Sequence, residues 1–389
     1  MNSSTDLPLP SGFRGIVANI GVKDSTDDLV IVATDGPVAT SGVFTQSRFV
    51  GPSVLVSREH IANLQASAIV VISKNANVAN GQQGEDDARE VVALTARHVG
   101  CEPSDVLIAS TGVIGRPYPM STIRAGFADI SGESWSAQLG DIARGIMTTD
   151  TVEKTSSATI AGSSAVVSGV AKGVGMIEPD MATMIAMILT DADISAEVLQ
   201  STFSRVADST FNCVSIDGDT STSDTAIIMS SGVVTDVSHD AFESALMQVC
   251  TDLTRQIAAD GEGAETLIEV LVDEARDEAQ ARRVAKSIVN SPLVKTAIHG
   301  ADPNWGRIAM AVGKVNDEDI DQNNVVIRIG SEELFPQQVS EHELEELSSY
   351  LQGDEVLIHV SLGIGSGTAR AWGCDLTDGY VRINADYTT

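Results

Sequence analysis

The chain has 389 residues, of which 43% are hydrophobic, and this is enough apolar material for a large globular protein rather than a disordered one. Its formal net charge of −30 excludes nucleic acid and anionic membrane surfaces as partners, because a polyanion of this strength repels both. No segment approaches the roughly 20 consecutive apolar residues that cross a bilayer.

The N-terminus and the cysteines favour a cytoplasmic location. The first residues contain neither a basic region nor an apolar core, so no signal peptide is expected. Cys101, Cys213, Cys250 and Cys374 are scattered, without a Cys-x-x-Cys pair, and we expect them to be reduced and buried. The six histidines are equally dispersed and show no metal-ligand spacing, so no metal site is expected.

The first part of the chain predicts strands, a helix and a hairpin. Short runs of branched residues between turn residues predict three buried strands, at residues 29–34, 68–73 and 106–109. A helix is predicted from Gly84 to Gly100, because apolar residues recur on one face at helical spacing. Two further runs flank an Ala-Gly-Ser-Ser turn and predict a hairpin, at residues 155–160 and 165–171.

The second part of the chain continues this mixed pattern. Ser195 and Ser238 are each expected to cap a helix, and the second of these helices ends before Gly261. Three more strands are predicted, at residues 267–272, 325–329 and 356–362, and an acidic solvated helix at residues 340–351. This order of elements predicts an α/β protein whose helices pack outside mixed sheets.

Several polar residues beside these elements are candidates for chemistry. Residues 110–115, Ser-Thr-Gly-Val-Ile-Gly, follow a predicted strand, so the Thr111 hydroxyl and the Gly112 N–H could form an oxyanion hole. Thr148 or Thr149 precedes the predicted hairpin and could contact a substrate, and Lys172 is a lone cation that could bind an α-carboxylate. An ordinary turn, or a solvated lysine, is the simpler interpretation of each motif alone.

Other polar segments are more ambiguous. Residues 217–225 are rich in Asp, Ser and Thr and are typical of turns. Glu262 lies in a glycine turn and could pair with a substrate ammonium or face water, whereas residues 302–307 read as a structural turn before a helix. Asn384 and Thr389 lie in a short polar tail, for which disorder is the simpler expectation.

Residues 172–191 are the most informative segment. A turn containing Gly173, Gly175 and Pro179 leads to Thr183, which lies between Ala182 and an unbroken apolar run. A threonine hydroxyl needs a base to act as a nucleophile, and its own α-amine supplies one if the chain is cut between Ala182 and Thr183. Glycines and a proline can hold such a peptide bond in a strained geometry that favours attack by the hydroxyl.

Taken together, the chain resembles the ornithine acetyltransferases, also described as bifunctional glutamate N-acetyltransferases. The resemblance extends nearly end to end and rests on nine motifs in order: residues 42–45, 75–77, 109–115, 146–151, 172–176, 181–184, 217–222, 290–297 and 302–307. Asp180, in a Glu-Pro-Asp sequence, is similar to paralogues of this family that occur in antibiotic biosynthesis clusters, whereas many arginine-pathway members carry Asn or Ser there.

The resemblance implies a fold of two packed mixed β-sheets flanked by helices, similar to autoproteolytic aminopeptidases. It implies self-cleavage into an α chain, residues 1–182, and a β chain, residues 183–389, that stay associated as an α2β2 heterotetramer or a larger assembly. It also implies the roles of individual residues: Thr183 as nucleophile, Thr111 and Gly112 at the oxyanion hole, and substrate contacts from Thr148 or Thr149, Lys172, Thr183, Glu262, Asn384 and Thr389.

The implied reaction is a ping-pong transfer of acetyl from N2-acetylornithine to Thr183 and then to glutamate, with no cofactor. Use of acetyl-CoA as a further donor stays open. One alternative is a hydrolase or aminopeptidase of the same architecture, in which water takes the acyl group. Another is a scaffold that never cleaves. Lys172 and Glu262 favour the transferase, because an amino-acid acceptor carries both charges.

Overall fold

The computed structural model describes residues 7–130, 135–178, 184–337 and 339–386. Its strands are β1 (Arg14–Ala18), β2 (Leu29–Phe44), β3 (Gln65–Ile72), β4 (Val106–Ser110), β5 (Lys154–Thr159), β6 (Val166–Lys172), β7 (Ile185–Ala192), β8 (Thr225–Val234), β9 (Leu267–Ala275), β10 (Val326–Ile329), β11 (Glu332–Phe335), β12 (Glu355–Ser361) and β13 (Gly367–Cys374). Its helices are α1 (Pro52–His60), α2 (Gly81–Val99), α3 (Met120–Asp129), α4 (Leu139–Ile146), α5 (Ala196–Ser209), α6 (His239–Ala259), α7 (Glu278–Val289), α8 (Pro292–His299), α9 (Trp305–Gly313), α10 (Glu341–Leu351) and α11 (Asp378–Asp386).

An eight-stranded mixed sheet has the order β4-β3-β2-β8-β7-β6-β5, with β1 also paired to β2. The long strand β2 joins two halves of this sheet. Its first residues pair with β1 and β3, and its last residues, from Ala39 to Phe44, pair with β8. A register shift between Ala33 and Val38 separates these two regions of β2. We call β1–β4 the first half of the sheet and β5–β8 the second half.

Side chains of the two halves meet in one core. Along β2, Val30 belongs to this shared core and Ile31 to the core on the opposite face. Along β7, Met187 and Ile188 alternate in the same way, as the two-residue period of a strand requires. Helix α4 contributes Ile142 to the shared core. The two halves therefore face each other, and strands such as β2 and β7 have apolar residues on both faces.

Helices cover the outer faces of both halves. Helices α2 and α3 pack against the first half, and α5 and α6 pack against the second half. A five-stranded mixed sheet, in the order β11-β10-β12-β9-β13, forms a further core with α7, α8, α9 and α10. Trp372 and Cys374 of β13 reach into the core formed by α5 and α6, so the two sheets share packing. The predicted fold class, mixed sheets flanked by helices, is confirmed.

The strands and helices predicted from the sequence are present, with shifted ends. The predicted hairpin is the antiparallel pair β5 and β6, and the Ser238 side chain accepts a hydrogen bond from Ala241 N at the start of α6. Ser195 precedes α5 as expected but makes no capping hydrogen bond through its side chain. In the described residues, no helix is long and apolar enough to span a membrane.

The expectation of a disordered C-terminal tail is wrong up to Asp386. Residues Asp378–Asp386 form α11, which the local sequence did not predict. A contact with a distant part of the chain fixes the start of this helix, because Thr377 Oγ1 donates to Gly263 O at 2.6 Å. A Cβ atom on Gly263 would lie 2.4 Å from the Tyr380 nitrogen, so only a glycine lets α11 approach this closely.

Replacing Phe203 tests the core between α5 and the second half of the sheet. Phe203 is fully buried, so Phe203→Ala should lower the free energy of unfolding by about 3–5 kcal/mol in chemical denaturation. Phe49→Ala is the matched control, because its ring is 62% exposed and its removal should change stability by no more than about 0.5 kcal/mol. Equal effects of the two substitutions would contradict the layer assignment.

Candidate functional site

Four strands of the eight-stranded sheet, β4, β6, β7 and β8, each have one end at the same site. Lys172, the last residue of β6, pairs with Ile185 at the start of β7, which in turn pairs with Thr225 at the start of β8. Thr111 follows the last residue of β4, in the other half of the sheet. Lys172 Nζ donates to Thr111 Oγ1 at 3.2 Å, and both side chains are buried. This hydrogen bond links the two halves.

Gly112 has a conformation and a position that only glycine tolerates. Its φ is +126°, and a Cβ atom there would lie 2.1 Å from the carbonyl carbon of Lys74. The neighbouring N–H groups are used, because Thr111 N donates to Ile72 O and Val113 N to Lys74 O. Within the described part of the chain, the Gly112 N–H has no acceptor. It is therefore available to bind an oxyanion.

A buried carboxylate, Asp150, organises the surroundings of Lys172. Asp150 Oδ1 accepts from Lys154 Nζ at 2.8 Å and from Gly173 N at 2.7 Å, and Oδ2 accepts from Thr148 N at 3.0 Å. Asp150 Oδ2 also lies 3.9 Å from Lys172 Nζ. One side chain thus fixes both the Thr148 loop and the turn after β6.

The charges in this group depend on each other. Burial opposes ionisation of Asp150, but the ammonium groups of Lys172 and Lys154 outweigh it and lower the pKa of Asp150. Burial lowers the pKa of Lys172, and the charge of Asp150 partly offsets this. Lys154 is completely buried and also contacts Asp260 at 2.5 Å. The side chains of Lys172, Asp150, Lys154 and Asp260 therefore form one buried network of ion pairs rather than a set of solvated charges.

Glu262 and Asn384 approach the same place from the C-terminal part of the chain. Asn384 Nδ2, on α11, donates to Glu262 Oε2 at 2.8 Å. Glu262 N donates to Val174 O at 2.8 Å, which holds the glutamate against the turn after β6. A Cβ atom on Gly175 would lie 2.5 Å from Glu262 Oε2, so a larger residue there would displace the carboxylate from this position.

The turn after β6 differs in part from the sequence interpretation. Gly173 has a positive φ of 149°, as expected, but Gly175 does not, and the left-handed residue there is Met176, with φ 55°. Asp217 holds the turn, because its carboxylate accepts from Met176 N at 2.7 Å and from Ile177 N at 2.9 Å. A side chain from a distant part of the chain therefore takes the constraining role expected of Gly175.

Seven residues predicted for the site line one cavity of about 120 Å³: Thr111, Gly112, Thr148, Thr149, Lys172, Glu262 and Asn384. A wider cavity of about 680 Å³ adjoins it and shares Gly112, Thr148 and Thr149. The described lining of the smaller cavity holds one carboxylate, from Glu262, and no histidine or cysteine, so it offers no ligand set for a metal ion. The roles predicted for these residues remain predictions.

Five residues singled out from the sequence lie outside the described residues: Pro179, Asp180, Ala182, Thr183 and Thr389. Asp150 and Asp224 also lie beside the site, and the sequence did not identify either of them as part of it. Asp224 is completely buried, and its Oδ1 accepts from Met184 N at 3.0 Å. Only their positions in the sequence could have indicated these two residues, because Asp150 precedes a predicted hairpin and Asp224 directly precedes an apolar run.

Comparison with known proteins gives consistent matches along the chain. The sequence model of the ArgJ family matches residues 14–389. The chain is 51% identical over 388 residues to the arginine biosynthesis bifunctional protein ArgJ 2 of Nostoc sp., covering 100% of both chains. It is 48% identical over 387 residues to the glutamate N-acetyltransferase Oat2 of Streptomyces clavuligerus, covering 98% of both.

Among solved structures, the arginine biosynthesis bifunctional protein ArgJ of Bacillus halodurans is 46% identical to this chain. The match covers 52% of this chain and 98% of that chain, with a TM-score of 0.49.

The ion network around Asp150 should make stability depend on pH in a defined direction. The folded-state pKa of Asp150 is lowered, so its contribution is present above the unfolded value of about 3.9 and is lost as the pH falls below it. Asp150→Asn should therefore cost about 3–5 kcal/mol at pH 7, because it leaves buried ammonium groups without their partner. The cost should shrink toward pH 3, as measured by chemical denaturation at each pH.

Asp24→Asn is the matched control for this measurement. The Asp24 side chain is 98% exposed and pairs with Lys74 at 3.4 Å, so its replacement should change the free energy of unfolding by less than about 1 kcal/mol at any pH. A pH-independent cost for Asp150→Asn would contradict the charge network.

Proposed function

The chain belongs to the ArgJ family, and we propose that it is a self-processing glutamate N-acetyltransferase that moves the acetyl group from N2-acetylornithine to glutamate. The observation that carries this function is the full-length similarity, at 48–51% identity, to the arginine biosynthesis bifunctional protein ArgJ 2 of Nostoc sp. and to the glutamate N-acetyltransferase Oat2 of Streptomyces clavuligerus. The cavity adds support, because it brings together residues from both sides of the proposed cleavage point. These two relatives favour this function over the alternative, a hydrolase or aminopeptidase of the same architecture.

Self-cleavage between Ala182 and Thr183 prepares the enzyme. The Thr183 hydroxyl attacks the Ala182 carbonyl, and water then hydrolyses the resulting ester, which leaves residues 1–182 and 183–389 as two chains. The new α-amine of Thr183 has an ordinary pKa of about 7.7–8.0, so near neutral pH a useful fraction is unprotonated and acts as the base for the hydroxyl.

Acetyl transfer then uses the donors around Gly112. The Thr111 hydroxyl accepts a hydrogen bond from Lys172 Nζ, so its own hydrogen is free to point at a developing oxyanion. The Gly112 N–H supplies the second donor. A tetrahedral intermediate on Thr183 collapses to an acetyl ester and releases ornithine, and the amine of glutamate attacks this ester in the second half-reaction.

Charges of opposite sign suit an amino-acid substrate. We assign the substrate ammonium to the Glu262 carboxylate, which Asn384 orients by its hydrogen bond. We assign the substrate carboxylate to Lys172 and to the hydroxyl of Thr148 or Thr149, with Thr389 as a further contact. The adjoining wider cavity has room for a longer acetyl donor, so acetyl-CoA is the second donor to test.

The processed chains are proposed to assemble as an α2β2 heterotetramer or a larger complex in the cytoplasm. The cytoplasmic location is supported by four cysteines that are all free, three of them buried. Burial raises the pKa of Cys213 to about 11, which keeps this thiol protonated and unreactive.

Processing is tested by a denaturing gel. We expect two fragments of nearly equal size from the wild-type chain and a single 40.7 kDa band from Thr183→Ala, which lacks the attacking hydroxyl. N-terminal sequencing of the larger fragment, residues 183–389, should give Thr183 as its first residue. A wild-type chain that stays whole while exchanging acetyl groups would rule out the proposal.

Transfer is distinguished from hydrolysis by the dependence on the acceptor. Ornithine release from N2-acetylornithine should be much faster with glutamate than without it, and the acetyl group should appear on glutamate. Equal rates of ornithine release would instead identify a hydrolase. The same assay with acetyl-CoA and glutamate tests the second donor.

Glu262→Gln supplies a specific variant for this assay. Loss of a charged hydrogen bond of about 1.5–3 kcal/mol should raise KM for the amino-acid substrates about 10–100-fold. Glu265→Gln is the matched control, because this glutamate is exposed and does not line the cavity, and it should leave KM unchanged.

A further inference from the structure

Three side chains that can bind a metal ion meet near the start of α11. Glu265 lies in the turn before β9, His299 is the last residue of α8, and Asp375 directly follows β13. Their ligand atoms all lie within 4.8 Å of one another. None of the three lines either of the two cavities described above, so this cluster is separate from the candidate substrate site.

The separations of the ligand atoms fit a small divalent ion. His299 Nδ1 lies 3.2 Å from Asp375 Oδ2 and 3.4 Å from Glu265 Oε2. Ligand atoms that are each about 2.0–2.1 Å from a tetrahedral ion lie about 3.3 Å from one another. Two of the three ligand pairs therefore already have the required spacing. The third pair can reach it by a rotation of the Glu265 side chain, which is 69% exposed.

Backbone hydrogen bonds hold the buried ligand in position. The side chain of Asp375 is completely buried. Its Oδ1 accepts from Glu265 N at 2.9 Å and from Thr266 N at 3.0 Å, and its Oδ2 lies toward His299 Nδ1. Hydrogen bonds of this kind orient the ligating groups of metal sites, and here they also tie the turn that carries Glu265 to the segment before α11.

The charges of the cluster favour a cation. Its two carboxylates share one imidazole, which is charged only when it is protonated. Within the described residues, this imidazole is the only ion-pair partner of Asp375. Lys295, one turn earlier in α8, directs its Nζ to the carbonyl oxygen of Cys374 instead. A buried carboxylate is costly without a compensating charge, and a divalent ion between the three groups would supply it.

The donor set and its accessibility narrow the class of ion. Imidazole together with carboxylate suits zinc and related transition metals, whereas calcium and magnesium prefer oxygen ligands alone. The partial exposure of Glu265 and His299 gives the ion a path from solvent. Three protein ligands leave a fourth position that water can fill.

We propose that Glu265, His299 and Asp375 bind a divalent transition-metal ion of the zinc type, and that this ion fixes the start of α11. It would join α8 to the turn that carries Glu262 and to the segment that leads to Asn384. The inference does not rest on the proposed function, because none of the three ligands takes part in acetyl transfer. The sequence predicted no metal site, since the ligands come from three distant parts of the chain.

Zinc binding to the enzyme, freed of metal by a chelator and without a histidine tag, tests the site by titration calorimetry. A net charge of −30 attracts cations without specificity, so an excess of Mg²⁺ is kept in the buffer. We expect one zinc ion per chain. His299→Ala and Glu265→Gln should each weaken its affinity about 10-fold or more, because each removes a ligand. Both replaced side chains are partly exposed, so the variants should fold.

His342→Ala is the matched control. His342 Nε2 lies 3.6 Å from Glu346 Oε1 on α10, so this is also an exposed histidine beside a carboxylate. Within the described residues it belongs to no cluster of three ligands. Its replacement should leave the zinc affinity unchanged.

Hydrogen exchange tests the effect of the ion on α11. Zinc should slow amide exchange in Asp378–Asp386 of the wild-type enzyme and have no such effect in Glu265→Gln, since a bound ion opposes local opening. Equal zinc affinity of the wild type and His299→Ala would overturn the site, and unchanged exchange in α11 would overturn its effect on the helix. Both measurements are made without substrate, so their failure is distinguishable from failure of the proposed function.

Discussion

The hydrogen bond between Lys172 and Thr111 is the contact on which the site depends. It joins the end of β6 to the end of β4 across the two halves of the folded sheet. A buried ammonium group is costly without a counter-charge, and Asp150 supplies one at 3.9 Å. Asp150 is in turn held by Lys154, which also contacts Asp260, so the position of one hydroxyl rests on a chain of buried charges.

Two aspartates near this contact are placed in opposite electrostatic environments. Asp150 faces two ammonium groups and is held in its charged form, whereas burial raises the pKa of Asp224 and favours its neutral form, although Met184 N–H donates a hydrogen bond to its carboxyl group. Such separation of pKa values between neighbouring acids is how a site assigns a structural charge to one group and a proton to another. The difference arises from position in the fold, since the side chains are chemically identical.

The sequence predicted those parts of the site that can be recognised from the residues next to them in the chain. Thr111 and Gly112 could be identified because a small hydroxyl residue and a glycine follow a short apolar run, and the fold class followed from the mixed order of elements. Asp150 and Asp224 could not, because turn-like segments such as residues 217–225 give no sign that their acids are buried. The helix α11 was missed for a related reason: its start is fixed by Gly263 and Thr377, which are far from each other in sequence.

The order of strands in the eight-stranded sheet has a consequence for the cut chain. Strands β8 and β7, which follow the proposed scission, lie between β2 and β6, which precede it. The two polypeptides would be interleaved, so neither could dissociate without breaking the backbone hydrogen bonds of both the β2–β8 and the β6–β7 pairs. Dilution alone would not dissociate them, and fragments from different molecules would not exchange while folded. Once denatured, however, the pair must find each other again, so renaturation would become a second-order process sensitive to protein concentration.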